Sequence, residues 1–147
     1  MKKLLLATLL ATCFLTPTII STSWAGDNGD GTITINSLVW LKDAGCLGPA
    51  TWDMSQNTVA SLSSGQCGLN DKSTAGQWRL PTIAELQTAY TYKSSFTGVR
   101  SVPYWSSSTL PNAPQRAQVL NMSYGSPINA DKGRLLYILP VRANNAR

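Results

Sequence analysis

Apolar and polar residues alternate over Ile33-Thr34-Ile35, break at Asn36-Ser37, and resume as Leu38-Val39-Trp40-Leu41. Two such runs joined by two turn-forming residues predict an antiparallel hairpin. The segment before it, DNGDGT at 27–32, is dense in turn-formers and leads the chain into the first run. After a loop at 45–49, Trp52, Val59 and Leu62 fall along one helical face, with Thr51 placed as a cap and Asp53 in the first turn, which predicts a helix over 52–63. Thr82 and Glu85 have capping-box spacing, and Ile83, Leu86 and Tyr90 recur behind them, so a second helix is predicted over 83–92. Beyond residue 101 the pattern turns to strands, over 104–108, 117–122 and 135–141, with Tyr124-Gly125-Ser126-Pro127 as a turn between the last two. Two short helices among several strands predict an α+β domain.

The first residues follow another pattern. Met1-Lys2-Lys3, an apolar run from Leu4 to Leu15, and Ser23-Trp24-Ala25 have the three parts of a secretory signal peptide, with cleavage after Ala25. This divides the chain into a leader at 1–25 and a single domain at 26–147 that is secreted, periplasmic or displayed at the cell surface, with no transmembrane segment. Leu10-Ala11-Thr12-Cys13 is similar to a lipobox, but apolar residues continue past the cysteine, which argues against acylation. Once the leader is gone Cys46 and Cys67 remain, and an exported pair with no third thiol is expected to form one disulfide.

Composition narrows the chemistry. None of the 147 residues is a histidine. That excludes Ser-His-Asp and Cys-His nucleophile pairs and histidine-bound metals. Glu85 is the sole glutamate, and its capping role explains it without the carboxylate pair of a glycosidase. No catalytic residue, metal ligand or cofactor is therefore assigned. DNGDGT is similar to a calcium loop, but Gly26 stands where the first ligand should be and Ser37 where a bidentate glutamate is needed, so it reads as a polar turn. Charge is divided along the chain: residues 26–71 carry five acids and one base, residues 72–147 nine bases and two acids. Arg100, Arg116, Lys132, Arg134 and Arg142 all fall on the predicted C-terminal strands and their turns. Arginine suits sulfate as it suits phosphate, because its planar fork bonds two oxygens at once. The tryptophans at 40, 52, 78 and 105 lie among apolar neighbours and read as core, with Trp105 beside Tyr104 the best candidate for partial exposure.

Five segments together, DNGDGT (27–32), LVWLKDAGC (38–46), GQCGLNDKSTAGQWRLPTIAEL (65–86), YWSSST (104–109) and LPVR (139–142), resemble the Lcl C-terminal domain family, named for a bacterial collagen-like adhesin. RLPT followed by an acidic residue is also similar to the formylglycine-generating enzyme superfamily. That likeness implies a C-type lectin-like single domain, with two short helices, small antiparallel sheets and one disulfide. It does not carry a catalytic site, because those enzymes use late cysteines and none follows Cys67 here. Leu110-Pro111-Asn112 holds the Pro-Asn of calcium-dependent lectins without its carboxylate, and Trp-Asn-Asp is missing. What the family resemblance implies is adhesion, since its best-known member looks like a binder of sulfated polysaccharides. The chain departs from the family at Pro114-Gln115-Arg116-Ala117-Gln118, where relatives carry an Ala-Trp pair.

The expected function is thus an exported, non-catalytic recognition domain for acidic or sulfated glycans. Its candidate contacts are Arg116, Lys132 and Arg134, with Tyr124 or Trp105 beside them. A structural module of a surface or pilus assembly, with a surface protein or further copies as partner, is the alternative. An enzyme related to the formylglycine-generating group is third. No nucleic-acid partner is expected.

Overall fold

The computed structural model describes residues 24–145, so the predicted leader up to residue 23, with Cys13, lies outside the described residues. A short strand, β1 (Ala25–Asp27), pairs antiparallel with β2 (Thr32–Ile35) around the DNGDGT turn. The turn consumes its own polar groups. Gly29 N–H donates to Asp27 Oδ1, Thr32 N–H and hydroxyl donate to Asp30 Oδ1, and Asn28 Nδ2 donates to the hydroxyls of Thr32 and Thr34 at 2.7 and 3.0 Å. With those bonds made, Thr32 and Thr34 can be buried beside Ile33 and Ile35 without orphaned hydroxyls. β2 then turns through Asn36-Ser37 into β3 (Leu38–Leu41), the predicted hairpin, with Asn36 in the left-handed region at φ 55°.

Two helices follow in the predicted places. α1 (Trp52–Ser61) is capped by Thr51, and α2 (Ile83–Thr91) by the reciprocal Thr82/Glu85 box. Glu85 also takes both ends of the Arg79 fork at 2.8 Å, and this guanidinium first, then the Thr82 N–H, holds its carboxyl below the usual range despite partial burial. The segment between the helices has no regular structure. It is fixed by the Cys46–Cys67 disulfide, whose Cα atoms are 5.7 Å apart, and by a close backbone approach at Gly31, where a Cβ would lie 2.3 Å from the Gly68 carbonyl oxygen.

A one-turn 3-10 segment at Lys93–Ser95 leads to β4 (Pro103–Leu110), β5 (Ala113–Asn121) and β6 (Ser126–Asp131). These form one antiparallel sheet in the order β4-β5-β6. The last strand, β7 (Val141–Ala143), returns to the front of the chain and pairs with β3, giving a second sheet in the order β1-β2-β3-β7. The architecture is therefore α+β, with two helices, two small antiparallel sheets and one disulfide. Alternation along the strands sends side chains into different clusters. Trp40 joins Ile33, Ile35, Leu86, Tyr104 and Leu120, whereas Val39 and Leu41 meet Leu62, Leu69 and Trp78. A third cluster gathers Trp105, Ala117, Val119, Ala130 and Ile138 beneath α1.

Two strand expectations are corrected. Residues 126–131 are a strand rather than part of a turn and linker, because the tight turn falls earlier, around Gly125. The apolar run over 135–141 is not one strand: Leu136 bridges Ala50, Tyr137 bridges Tyr104 and Val141 bridges Arg79. Three partners in succession, with Pro140 interrupting, leave regular pairing to Val141–Ala143.

Candidate functional site

The register of β5 and β6 decides which candidate residues can act together. Arg116 lies opposite Asp131, and Ala117 opposite Ala130. Side chains alternate between faces, so Arg116, Asn129 and Asp131 share one face and Ala130 and Lys132 the other. On the first face the Arg116 guanidinium is 3.3 Å from the Asp131 carboxylate and donates to the Asn129 carbonyl oxygen at 3.2 Å. Its charge is already balanced locally.

Lys132 has a different neighbour. Its ammonium sits 3.9 Å from the centre of the Trp52 ring, and its carbonyl accepts from the Trp52 N–H at 2.9 Å. That bond comes from the Trp52 backbone, and the indole itself donates from Nε1 to the Ser106 carbonyl at 2.8 Å. A ring anchored through both its backbone and its Nε1 offers a preorganised face, and a cation on such a face is worth about 0.5 to 2 kcal/mol. Arg134 leaves the same turn, closed by the bond from its N–H to the Asp131 carbonyl, and its exposed side chain has no ion pair among the described residues. Two cations unpaired with acids among the described residues thus emerge from one tight turn beside a half-buried aromatic ring.

Trp105 is corrected as a contact residue. It is fully buried in β4 and donates from Nε1 to the Ala50 carbonyl at 2.8 Å, so its face is closed to any ligand. Tyr124 is 59% exposed but belongs to the hairpin tip between β5 and β6, at the far end of β6 from Lys132. At about 3.3 Å per residue, the steps from Ser126 to Lys132 put roughly 20 Å between the two ends. Trp52 takes the place expected of Trp105. Its signal in the sequence is its position directly after the Thr51 cap, where a helix begins at the surface.

The other predicted bases disperse. Arg100 lies over Tyr137 at 5.4 Å. Arg142 pairs with Asp71 at 3.0 Å and lies over Trp78, in the other sheet. Pairing accounts for most carboxylates. Asp27 bonds Lys42, which together with the Gly29 N–H lowers its pKa; Glu85 bonds Arg79, Asp71 bonds Arg142, and Asp131 contacts Arg116. No group of three His, Cys, Asp or Glu side chains that could hold a metal ion occurs among the described residues. A surface depression of about 360 Å³ is lined by Lys93, Phe96, Val99, Met122 and neighbouring serines, and by none of the candidate contacts.

Compared with known proteins, the chain matches the Lcl C-terminal domain over residues 33–142, from β2 through the first residues of β7. No curated protein matches it.

Proposed function

The chain belongs to the Lcl C-terminal domain family, and from that premise we propose that it is a non-catalytic recognition domain, acting outside the cytoplasm, that binds acidic or sulfated glycans. The observation that carries this reading is the Asp131–Arg134 turn, where Lys132 rests on Trp52 and neither Lys132 nor Arg134 has an ion pair among the described residues. An ammonium resting on a ring face keeps its charge available to an anion, whereas one paired with a carboxylate must first give up that partner. Arg134 adds a planar fork suited to a sulfate or carboxylate group.

The remaining features agree with this reading. A disulfide suits an oxidising compartment, and no helix among the described residues is long and apolar enough to cross a membrane. The carboxylates whose pKa values are shifted are all shifted downward, away from the range of a general acid, and the chain has no histidine to replace them.

The test is retention on a heparin column at low ionic strength, compared with an Arg116→Ala/Lys132→Ala/Arg134→Ala variant. The wild type should bind and elute with salt, since screening weakens exposed charge contacts, and the triple variant should flow through. Arg116→Ala alone should shift elution least, because Asp131 already neutralises that guanidinium. Flow-through of the wild type would sink the reading.

A further inference from the structure

The β5–β6 ladder keeps one register from Arg116 opposite Asp131 to Asn121 opposite Ser126. It continues to Lys132, whose N–H donates to the Gln115 carbonyl at 3.0 Å. Hydrogen-bonded and non-hydrogen-bonded pairs alternate in an antiparallel ladder. Residues 126, 128 and 130 therefore aim their backbone groups at β5, as Lys132 does with its N–H, while Pro127, Asn129 and Asp131 aim theirs outward. Gln118, opposite Asn129, has the matching phase: its carbonyl points to β4, where it accepts from Ser106 Oγ at 2.7 Å. Pro127 lacks an N–H and occupies an outward position, as an edge strand requires.

We propose that β6 is the contact strand of a two-fold symmetric dimer of this chain. The outward groups are self-complementary. Asn129 offers a donor and an acceptor. Pro127 offers an acceptor alone, and Asp131 a donor, its carbonyl already accepting from the Arg134 N–H at 3.0 Å. Two antiparallel copies related by an axis at Asn129 set Pro127 opposite the partner's Asp131, so the missing donor meets the occupied acceptor. Asn129 exchanges two bonds with the partner's Asn129, and each Asp131 N–H donates to a Pro127 carbonyl across the axis. No outward donor is left over. The Arg116 guanidinium also donates to the Asn129 carbonyl, whose two lone pairs accommodate both bonds.

The side chains support the same arrangement. Ile128, 37% exposed, lies on the face of β6 that carries buried Ala130. The two-fold pairing sets it opposite the partner's Ala130, which extends the apolar face across the seam. Each Asp131 keeps its Arg116, so no unpaired carboxylates meet at the axis. A consequence that rests on the proposed glycan function follows from the antiparallel geometry. The partner's Tyr124 arrives at the ribbon end that carries Lys132 and Arg134, making one recognition surface from two chains.

Association is measured without any glycan, so its failure is distinct from failure of the glycan reading. Sedimentation velocity of the purified, disulfide-bonded protein should show a dimer by about 100 μM. Asn129→Pro removes the central outward N–H and leaves the bonds to β5 intact, so it should raise the dissociation constant at least about tenfold with an unchanged circular dichroism spectrum. Should that variant fail to fold, Ile128→Lys decides, because it places like charges beside the axis and should yield a monomer. A wild type that stays monomeric, a different oligomer, or a dimer indifferent to both substitutions overturns the proposal.

Discussion

Asp71 offers a test of how the irregular segment between the helices is held. Its side chain is 1% exposed and that of Arg142 15%. The carboxylate accepts from the Ser73 N–H and hydroxyl at 3.1 and 2.7 Å, and from Arg142 Nε and Nη2 at 3.2 and 3.0 Å. Burial by itself pushes this carboxyl's pKa up, but the two Ser73 bonds and the guanidinium outweigh it and leave the pKa below its ordinary value. Asp71→Asn preserves shape and an acceptor for Ser73 while removing the charge opposite Arg142. Removing one partner of a buried ion pair generally costs about 3 to 5 kcal/mol. Arg142 retains some exposure, a bond from Nη1 to the Ala143 carbonyl and the face of Trp78, so the expected loss is about 2 to 3 kcal/mol. Urea unfolding at neutral pH, followed by tryptophan fluorescence, measures it as a lower midpoint at unchanged slope.

The pH dependence has a definite sign. Because the folded-state pKa is depressed, the stabilisation is fully present above the unfolded value of about 4 and is lost as pH falls through the folded value. The gap between wild type and Asp71→Asn should therefore narrow progressively as the pH falls below about 4. A gap under about 1 kcal/mol at neutral pH, or one undiminished in acid, would refute the ion-pair account.

Two further predictions concern the same segment. Gly31→Ala should destabilise by at least about 2 kcal/mol, since φ is +84° and the new Cβ would meet the Gly68 carbonyl; thermal unfolding within a few tenths of a kcal/mol of wild type would disprove that close approach. Replacing Cys46 and Cys67 by serine removes a cross-link between residues separated by 21 positions and should cost about 3 kcal/mol, read as a lower urea midpoint. A midpoint unmoved by the double replacement would mean that the remaining contacts alone hold the segment.

What could be read from the sequence was local. The second helix announces itself through Thr82, Glu85 and the spacing of Ile83, Leu86 and Tyr90, and it forms as predicted to within a residue. The hairpin across Asn36-Ser37 is equally self-contained. β6 is not, because SPINAD lies at a sheet edge, where most side chains face water and nothing enforces a clear alternation. The site shows the same limit. Trp52 and Trp105 are indistinguishable by type, and only their placement, one at a helix start and one between packed layers, separates them. Arg116 and Lys132 look like partners in a basic cluster until the register assigns them to opposite faces of the ribbon.

The pairing of β7 with β3 gives the chain a built-in order of assembly. Synthesis proceeds from the amino end, so β3 is made about a hundred residues before the strand that covers its open edge. Until Val141–Ala143 is available, the front sheet lacks its fourth strand, Arg79 lacks its bridge to Val141, and Asp71 lacks the guanidinium that neutralises it. Closing so long a loop is slow compared with forming a local hairpin or helix. The native core is thus completed only once β7 has been made.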